Sequence, residues 1–399
     1  MSKANSFQNG NLSQLMFFSN GKSTDKNNGN IPIYGGNGIL GYTSKSNFSN
    51  ILIIGRVGAY CGSVHIEPND CWVSDNAIAA IPNPNSYNYY NYYLLQSLQL
   101  NSKKVGSSQP LLTQSILNNI SVKIELNKEK QKKIVFILEK IDKKIELNNQ
   151  INAELESMAK TLYDYWFVQF DFPDENGKPY KSSGGKMVYN SVLKREIPEG
   201  WEVDSLEKHL IFKRGISYKS TDISGGDGLP FINLNSFSLN GQFKFDGTKF
   251  FSGKYKIDSL YSCGELVIAV TDVTRNADII GKAFIIPNVF DKVLISCDVA
   301  SVKSQRLNKF FLEQLFNSYN YHNYIKYFAS GTLVLHLNLD GINWFYIALP
   351  PLSLLEKYEE YCAPILTKKS KILEENNQLK QFRDFLLPML MNGQVTIKD

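Results

Sequence analysis

A stretch of about 40 residues occurs twice in this 399-residue chain, at 128–167 and at 352–390, and each copy has the pattern of a helix that must pack lengthwise against a partner. In the first, apolar residues fall at Ile134, Leu138, Ile141, Ile145, Leu155, Ala159 and Leu162, in steps of four and three, with Asn148 and Asn152 on the same stripe. No glycine or proline interrupts it, and at about 1.5 Å per residue the run makes a rod of about 60 Å. Such a rod is too long, and too polar on its other faces, to lie buried in one globular core. It requires a second helix, and the chain supplies one. Lys143-Lys144-Ile145-Glu146-Leu147-Asn148-Asn149-Gln150-Ile151 recurs as Lys371-Ile372-Leu373-Glu374-Glu375-Asn376-Asn377-Gln378-Leu379. If the two rods run antiparallel, the amides of Asn148 and Asn376 face each other and fix the register. The second copy is more ragged: Lys369, Lys380 and Arg383 lie near its seam, and Pro364 is expected to kink it and Pro388 to stop it.

The duplication reaches beyond the rods. Residues 12–23, from Leu12 to Gly21-Lys22-Ser23, match 206–217, from Leu206 to Gly215-Ile216-Ser217. Ile31-Pro32-Ile33 answers Leu229-Pro230-Phe231, Tyr92-Tyr93-Leu94-Leu95-Gln96 answers Phe310-Phe311-Leu312-Glu313-Gln314, and Gly106-Ser107 pairs with Gly331-Thr332. The offset grows from 194 to 198, 218 and finally 228 residues, as it must if the second unit carries loop insertions. The order is globular unit, long helix, globular unit, long helix. Within the globular units, Ile51-Leu52-Ile53-Ile54, Ser63-Val64-His65-Ile66 before Pro68-Asn69, and residues 77–81 are short apolar runs cut by turn residues, and read as strands. Residues 265–270, Ala283-Phe284-Ile285-Ile286 before Pro287-Asn288, and 299–302 repeat them. Residues 87–100 and 308–325 read as one helix per unit, and the tyrosine cluster in the first as half-buried helix rather than a base-stacking surface.

An apolar share of 43% and an aromatic share of 13% suffice for real cores, and the length allows two or three domains. The formal charge of +5 is mildly basic; it permits a nucleic-acid partner without demanding one. Five cysteines are scattered, none in a C-x-x-C, and the four histidines are isolated, so neither a disulfide framework nor a metal site is indicated. The N-terminus lacks a signal pattern and no apolar run reaches the roughly 18 residues a membrane span needs. The expected location is the cytoplasm, without a membrane partner.

Motifs for catalysis fail on inspection. Gly36-Asn37-Gly38-Ile39-Leu40-Gly41 satisfies G-x-G-x-x-G, but no acidic residue lies between Lys26 and Ile66 to take a ribose hydroxyl. Gly21-Lys22-Ser23 ends like a phosphate loop, yet Met16 stands where a glycine is needed. Asn83-Pro84-Asn85-Ser86-Tyr87 falls short of an adenine-methylase signature. The expectation is a protein that is not an enzyme and holds no cofactor of its own.

Between the halves lies a Gly, Pro, Ser and Lys-rich connector, expected to be irregular. From Phe170-Asp171-Phe172-Pro173 through Gly184-Gly185-Lys186-Met187 to Ile197-Pro198-Glu199-Gly200-Trp201, it resembles the central region of type I restriction-modification specificity subunits. Tyr34-Gly35-Gly36-Asn37-Gly38-Ile39, Leu349-Pro350-Pro351-Leu352, and Leu386-Leu387-Pro388-Met389-Leu390 before Asn392-Gly393-Gln394 resemble that family too. The Pro-x-Gly-Trp that opens the second unit has no counterpart before Leu12. The resemblance implies an α+β fold: two tandem mixed α/β target-recognition domains separated by two long antiparallel coiled-coil helices, in a pseudo-two-fold internal repeat. The expected division is 1–120 and 201–346 for the recognition domains, 121–169 for the central helix, 170–200 for the connector, and 347–399 for the distal helix and tail.

The implied partners are double-stranded DNA, two methyltransferase subunits and, in a full assembly, two restriction subunits. S-adenosylmethionine and ATP belong to those partners. The implied function is recognition of a bipartite, gapped site that directs adenine methylation or restriction. A stand-alone two-domain DNA-binding regulator would explain the duplication but would not need two long rods. A protein-only coiled-coil adaptor would leave the polar loops idle. Candidate DNA contacts are polar or basic residues at turns flanking strands: Lys22, Ser23, Tyr34, Asn37, Tyr42, Lys45 and Arg56 in the first unit, and Lys213, Arg214, Ser217, Asn233, Asn235, Thr271, Thr274, Arg275 and Asn276 in the second. Arg and Lys can address guanine or phosphate, and Asn can bridge the adenine edge. The run from Lys128 to Lys133 reads first as a solvated helix face.

Overall fold

A computed structural model describes residues 7–103 and 111–395; the Gly106-Ser107 half of the repeat comparison lies outside them. The chain divides into two compact units, Met1–Glu146 with Gln378–Asp399, and Leu147–Asn377.

The first unit is built on a six-stranded sheet in the spatial order Met16–Asn20, Ala77–Pro82, Phe48–Gly55, Val64–Val73, Ile31–Gly35, Gly38–Thr43. Its central strand explains the unbroken apolar run at 51–54. Leu52 and Ile54 join one buried cluster and Ile51 and Ile53 another, so both faces are covered and no polar alternation is needed. Helix Asn88–Ser97 buries Tyr90, Tyr93, Leu94 and Leu95 against the Leu52 side. That is the half-buried helix expected of the tyrosine cluster, and Tyr93 donates its hydroxyl to Asp142 at 2.6 Å. Two long helices run Lys128–Tyr163 and Leu352–Met391. Within this unit Val135 and Leu138 of the first share a core with Leu390 and Met391 of the second, and Arg383 bonds Asp142 at 2.9 Å. Rising numbers on one helix meet falling numbers on the other.

The second unit has a four-stranded sheet, Ile211–Arg214, Val299–Lys303, Leu266–Ala269, Ala283–Ile285, and a five-stranded one, Ile223–Ser224, Lys249–Phe251, Leu229–Ile232, Lys292–Ile295, Tyr261–Ser262. Leu266, Ile268 and Val270 face one core, and Val267 and Ala269 the other. The long helices again meet antiparallel. Asn148 Nδ2 donates to Asn376 Oδ1 and to Glu375 Oε2, both at 2.8 Å, and Asn376 Nδ2 donates to Asn149 Oδ1 at 3.0 Å. Lys369 and Glu156 pair at 2.9 Å, and Trp166 packs on Tyr358 and Tyr361, each with centroids 5.7 Å apart. With Asn148 only 1% and Asn376 6% exposed, leaving either amide unpaired would be costly.

Three local expectations are corrected, and a fourth in part. The distal helix runs through both prolines. Pro364 is exposed, as is Glu360, whose carbonyl loses its donor. Termination comes instead at Gly393, φ +68°, where Gly393 N–H bonds Leu390 O and Gln394 N–H bonds Met389 O, a left-handed glycine cap. Residues 308–325 form two helices, Lys309–Asn317 and Tyr319–Ile325, because Ser318 turns extended and its hydroxyl caps Tyr321 N–H. The connector is irregular over 170–186 as expected, and regular only at its end. Met187–Asn190 and Arg195–Pro198 form a hairpin, Phe172 stacks between Tyr180 and Trp201, and the Asp171 carboxylate accepts from the Ser182 N–H and hydroxyl. Finally, strand Val64–Val73 passes through Pro68-Asn69 instead of stopping there.

Candidate nucleic-acid interface

In the first unit three chain segments end around one turn, Ser74, Asp75 and Asn76. Lys22 N–H donates to Val73 O, Ser74 N–H to Tyr34 O, and Arg56 N–H to Asn76 O. The cause is the sheet order: Ile31–Gly35 runs parallel to the end of Val64–Val73, pairing Ile33 with Trp72 and Tyr34 with Val73. Lys22, Tyr34 and Arg56 are thereby gathered, with Ser23 next to Lys22. Gly21 sits so close to the Val73 and Ser74 carbonyls that a Cβ there would meet them at 2.5 Å or less. Glycine is required.

The side chains differ in what they are free to do. Lys22 and Ser23 are exposed. Tyr34 is buried and donates to Glu67 Oε2 at 2.9 Å; burial, then the Glu67 bond, raises its hydroxyl above the ordinary tyrosine range, so it stays a donor committed to Glu67. Arg56 is partly buried. Its Nη1 makes a marginal 3.5 Å contact to Asp75 O, and its buried Nε has no hydrogen-bond partner among the described residues. The buried Nε cannot itself meet a base or phosphate, so any such contact would come from the terminal nitrogens. Asn37 is exposed in the turn between Ile31–Gly35 and Gly38–Thr43. Lys45 is exposed two residues before Asn47, whose side chain bonds Val73 N–H and O. Tyr42 lines a hollow with Glu67 and Asp70, whose carboxylates repel phosphate.

The second unit repeats the convergence around Ser296, Cys297 and Asp298. Ile216 N–H donates to Ile295 O, Cys297 N–H to Ile216 O, Ser296 N–H to Ile232 O, and Val270 N–H to Asp298 O. The underlying parallel pair is Phe231 with Leu294 and Ile232 with Ile295. Ser217, Asn233 and Thr271 are brought together here. Only Ser217 is exposed. Asn233 is buried, its Nδ2 bonded to Phe231 O and Gly247 O and its Oδ1 to Asn235 N–H. Thr271 is buried and donates to Asp298 at 2.9 Å. Lys213 reaches Asp258 O at 2.5 Å over the Tyr261 ring, while Arg214 and Asn235 are exposed. Arg275 and Asn276 are exposed on the loop that leaves Asp272, with Thr274 half-buried at its base.

Sequence reasoning missed the two organising turns and one hairpin. Ala329–Ser330 and Leu335–Leu337 form a ribbon with Thr271–Asp272, pairing Thr271 with His336. Exposed His336 and the Leu333 tip, 89% exposed, therefore stand beside the Thr271 strand. Gly331, φ +137°, was the available signal. Among the described residues no cluster of His, Cys, Asp or Glu could hold a metal ion, and no helix is long and apolar enough to cross a membrane.

The chain is similar to known proteins in sequence and in fold. A family model described as the type I restriction modification DNA specificity domain matches residues 4–157. The MjaIX type I restriction enzyme specificity subunit of Methanocaldococcus jannaschii is 27% identical over 360 residues, covering 88% of this chain and 78% of that protein. The HindI specificity subunit of Haemophilus influenzae is 25% identical over 344 residues, covering 72% and 71%. Among solved structures, the type I restriction-modification S subunit from M. genitalium has a similar fold, with a TM-score of 0.57 at 16% identity over 96% of each chain.

Proposed function

The chain belongs to the type I restriction-modification specificity subunits, and from that premise we propose how it reads DNA. It is a non-catalytic DNA-recognition component of such a system. Each unit is a target-recognition domain, 1–120 and 201–346, that reads one half of a gapped site. The long helices form an antiparallel coiled coil in a pseudo-two-fold repeat and set the gap. A helix of 36 residues spans about 54 Å at 1.5 Å per residue, more than the ~34 Å between successive major-groove faces on one side of B-DNA. The methylase, present as two subunits, brings S-adenosylmethionine and extrudes the target adenine; two ATP-driven restriction subunits complete the nuclease form.

One observation carries this reading. The family model covers only 4–157, yet residues 201–346, outside that span, gather their strand ends around a turn in the same way, with the same parallel pairing beside it. Two like readers on one chain fit a two-part site. In the first unit Lys22, Ser23, Asn37 and Arg56 face the DNA; in the second, Arg214, Ser217, Asn235, Arg275 and Asn276 do so. Tyr34, Asn233 and Thr271 hold the frame under them. Long-read mapping of methylated adenines in the host genome, with and without the gene, tests it. A gapped motif that disappears with the gene is expected; an ungapped motif, or none lost, overturns the proposal.

A further inference from the structure

We infer that the buried Asp272 is a positioning residue for base readout by the second unit, holding loop 273–280 in the one shape that presents Val273, Arg275 and Asn276 to a base-pair edge. The inference rests on the reading of this unit as a DNA reader. Asp272 is fully buried, and one carboxylate oxygen accepts from Thr274 N–H at 2.6 Å while the other accepts from Ile279 N–H at 2.7 Å and Ile280 N–H at 2.9 Å. All of these bonds go to the loop's own backbone. A carboxylate taken out of water is tolerated only when its lone pairs are satisfied, so the loop cannot open without exposing its anchor to unmade bonds. Thr274 Oγ1 adds a second brace by accepting Asp278 N–H at 2.8 Å, and Ala277 is held at φ +53°.

The fold alone does not need this anchor. In the first unit the corresponding loop after Gly55 is closed by backbone bonds, Gly62 N–H to Gly55 O and Ser63 N–H to Tyr60 O. What Asp272 adds is a fixed outward surface: Val273 is 63% exposed, and Arg275 and Asn276 are exposed beside it. These side chains suit a base edge, an apolar group for the thymine methyl, a guanidinium for guanine and an amide for adenine. Holding them in place before binding removes an ordering cost that would otherwise weaken discrimination. Because the carboxylate is turned wholly inward, it does not repel the phosphates.

The test uses the full chain expressed with its own methyltransferase, with long-read mapping of every methylated site. Asp272→Asn sets an amide N–H against backbone N–H groups; Thr274→Ala removes only the outer brace, and Thr274→Ser keeps it. Arg275→Ala probes the contact itself. Asp272→Asn and Arg275→Ala are expected to raise methylation at sites mismatched in one and the same half about tenfold relative to the full site, with the other half read as before. Thr274→Ala does so more weakly, and Thr274→Ser restores discrimination. A uniform fall at all sites with half-site preference intact, or no change, in Asp272→Asn and Thr274→Ala overturns the inference. Should Asp272→Asn fail to accumulate, Thr274→Ala against Thr274→Ser decides it. An Arg275→Ala chain that reads both halves normally, together with normal Thr274→Ala, removes the loop from the DNA surface and so strikes the underlying reading instead.

Discussion

The two units handle the same local obstacle in opposite ways. In the first, strand Val64–Val73 meets Pro68, which cannot donate to a ladder, and the sheet absorbs it with a bulge. Ile51 pairs with Glu67 and Ser49 with Asp70, so Pro68 and Asn69 together oppose Asn50, which takes φ +51°. A bulge is where a sheet tolerates proline. In the second unit Pro287-Asn288 divides the matching span into Ala283–Ile285 and Lys292–Ile295, in different sheets. Asn288 N–H then bonds Ser370 of the long helix at 3.0 Å. One unit keeps a continuous sheet; the other gains a helix contact and room for insertions. Neither route disturbs the parallel pair or the turn beside it.

The seam between the long helices also differs, and its disruption should give the largest effects. In the second unit its end is aromatic, with buried Tyr358 of the distal helix packed on Trp166 and Phe167 of the π-helical turn that follows Tyr163; in the first it is aliphatic, with Val135, Leu138, Leu390 and Met391. Trp166→Ala should cost about 3–5 kcal/mol and Leu138→Ala about 2–5 kcal/mol in denaturant unfolding. A greater loss at Leu138 would refute the aromatic seam as the stronger lock. Arg56→Ala should weaken specific binding by about 1–3 kcal/mol if the guanidinium reads a base. An unchanged ratio of specific to random binding removes it from the surface.

Among the described residues only the second unit buries a lysine beside a histidine, and pH should separate the two units. Lys282 is 7% exposed, donates to Asn317 O, and is pushed down to about 8 by burial first and Lys326 second. The unfolded side chain is charged up to its ordinary value of 10.5. The charge therefore destabilises the fold fully below about 8, and stability returns as pH rises from there towards 10.5. Lys282→Met should be more stable than the parent at pH 7, and the gap in Tm should close through that window. His322, lowered to about 4 by burial and then by Lys282 and Lys326, adds a loss of stability as pH falls from 6.5 towards 4. A constant gap across the alkaline range would contradict the buried charge. The smallest effect concerns register: replacing both Asn148 and Asn376 by Leu should raise stability by about 1 kcal/mol while loosening the preferred gap between half-sites. A lower Tm would count against a register role.

Legibility followed the range of the interaction. The strand at 51–54 was readable because burial on both faces leaves a continuous aliphatic run, and the tyrosine helix because its aromatic stripe recurs at helical spacing. The meeting of Asn148 and Asn376 was readable because the seam repeats every seven residues. The expectation that Pro388 stops the helix failed because the helix runs on to Met391 and is ended by the left-handed Gly393, a cap set by backbone bonds rather than by the proline. The helix break at Ser318 was hidden in a hydroxyl cap. Among the site residues, Asn233 and Thr271 have the composition of DNA contacts, yet they are consumed by internal bonds to Gly247, Phe231 and Asp298.

By itself the sequence determined the local elements, the doubly buried strand at 51–54, the tyrosine helix and the two long helices, since their patterns are written along one dimension. Which of the polar side chains at the turns remain exposed was decided only by the tertiary structure. A parallel strand pair joins residues about 40 or 60 positions apart, Tyr34 with Val73 and Ile232 with Ile295. That pairing sets the turn to which Lys22 and Arg56 bond, while the Asp272 carboxylate is held inward by the N–H groups of Thr274, Ile279 and Ile280.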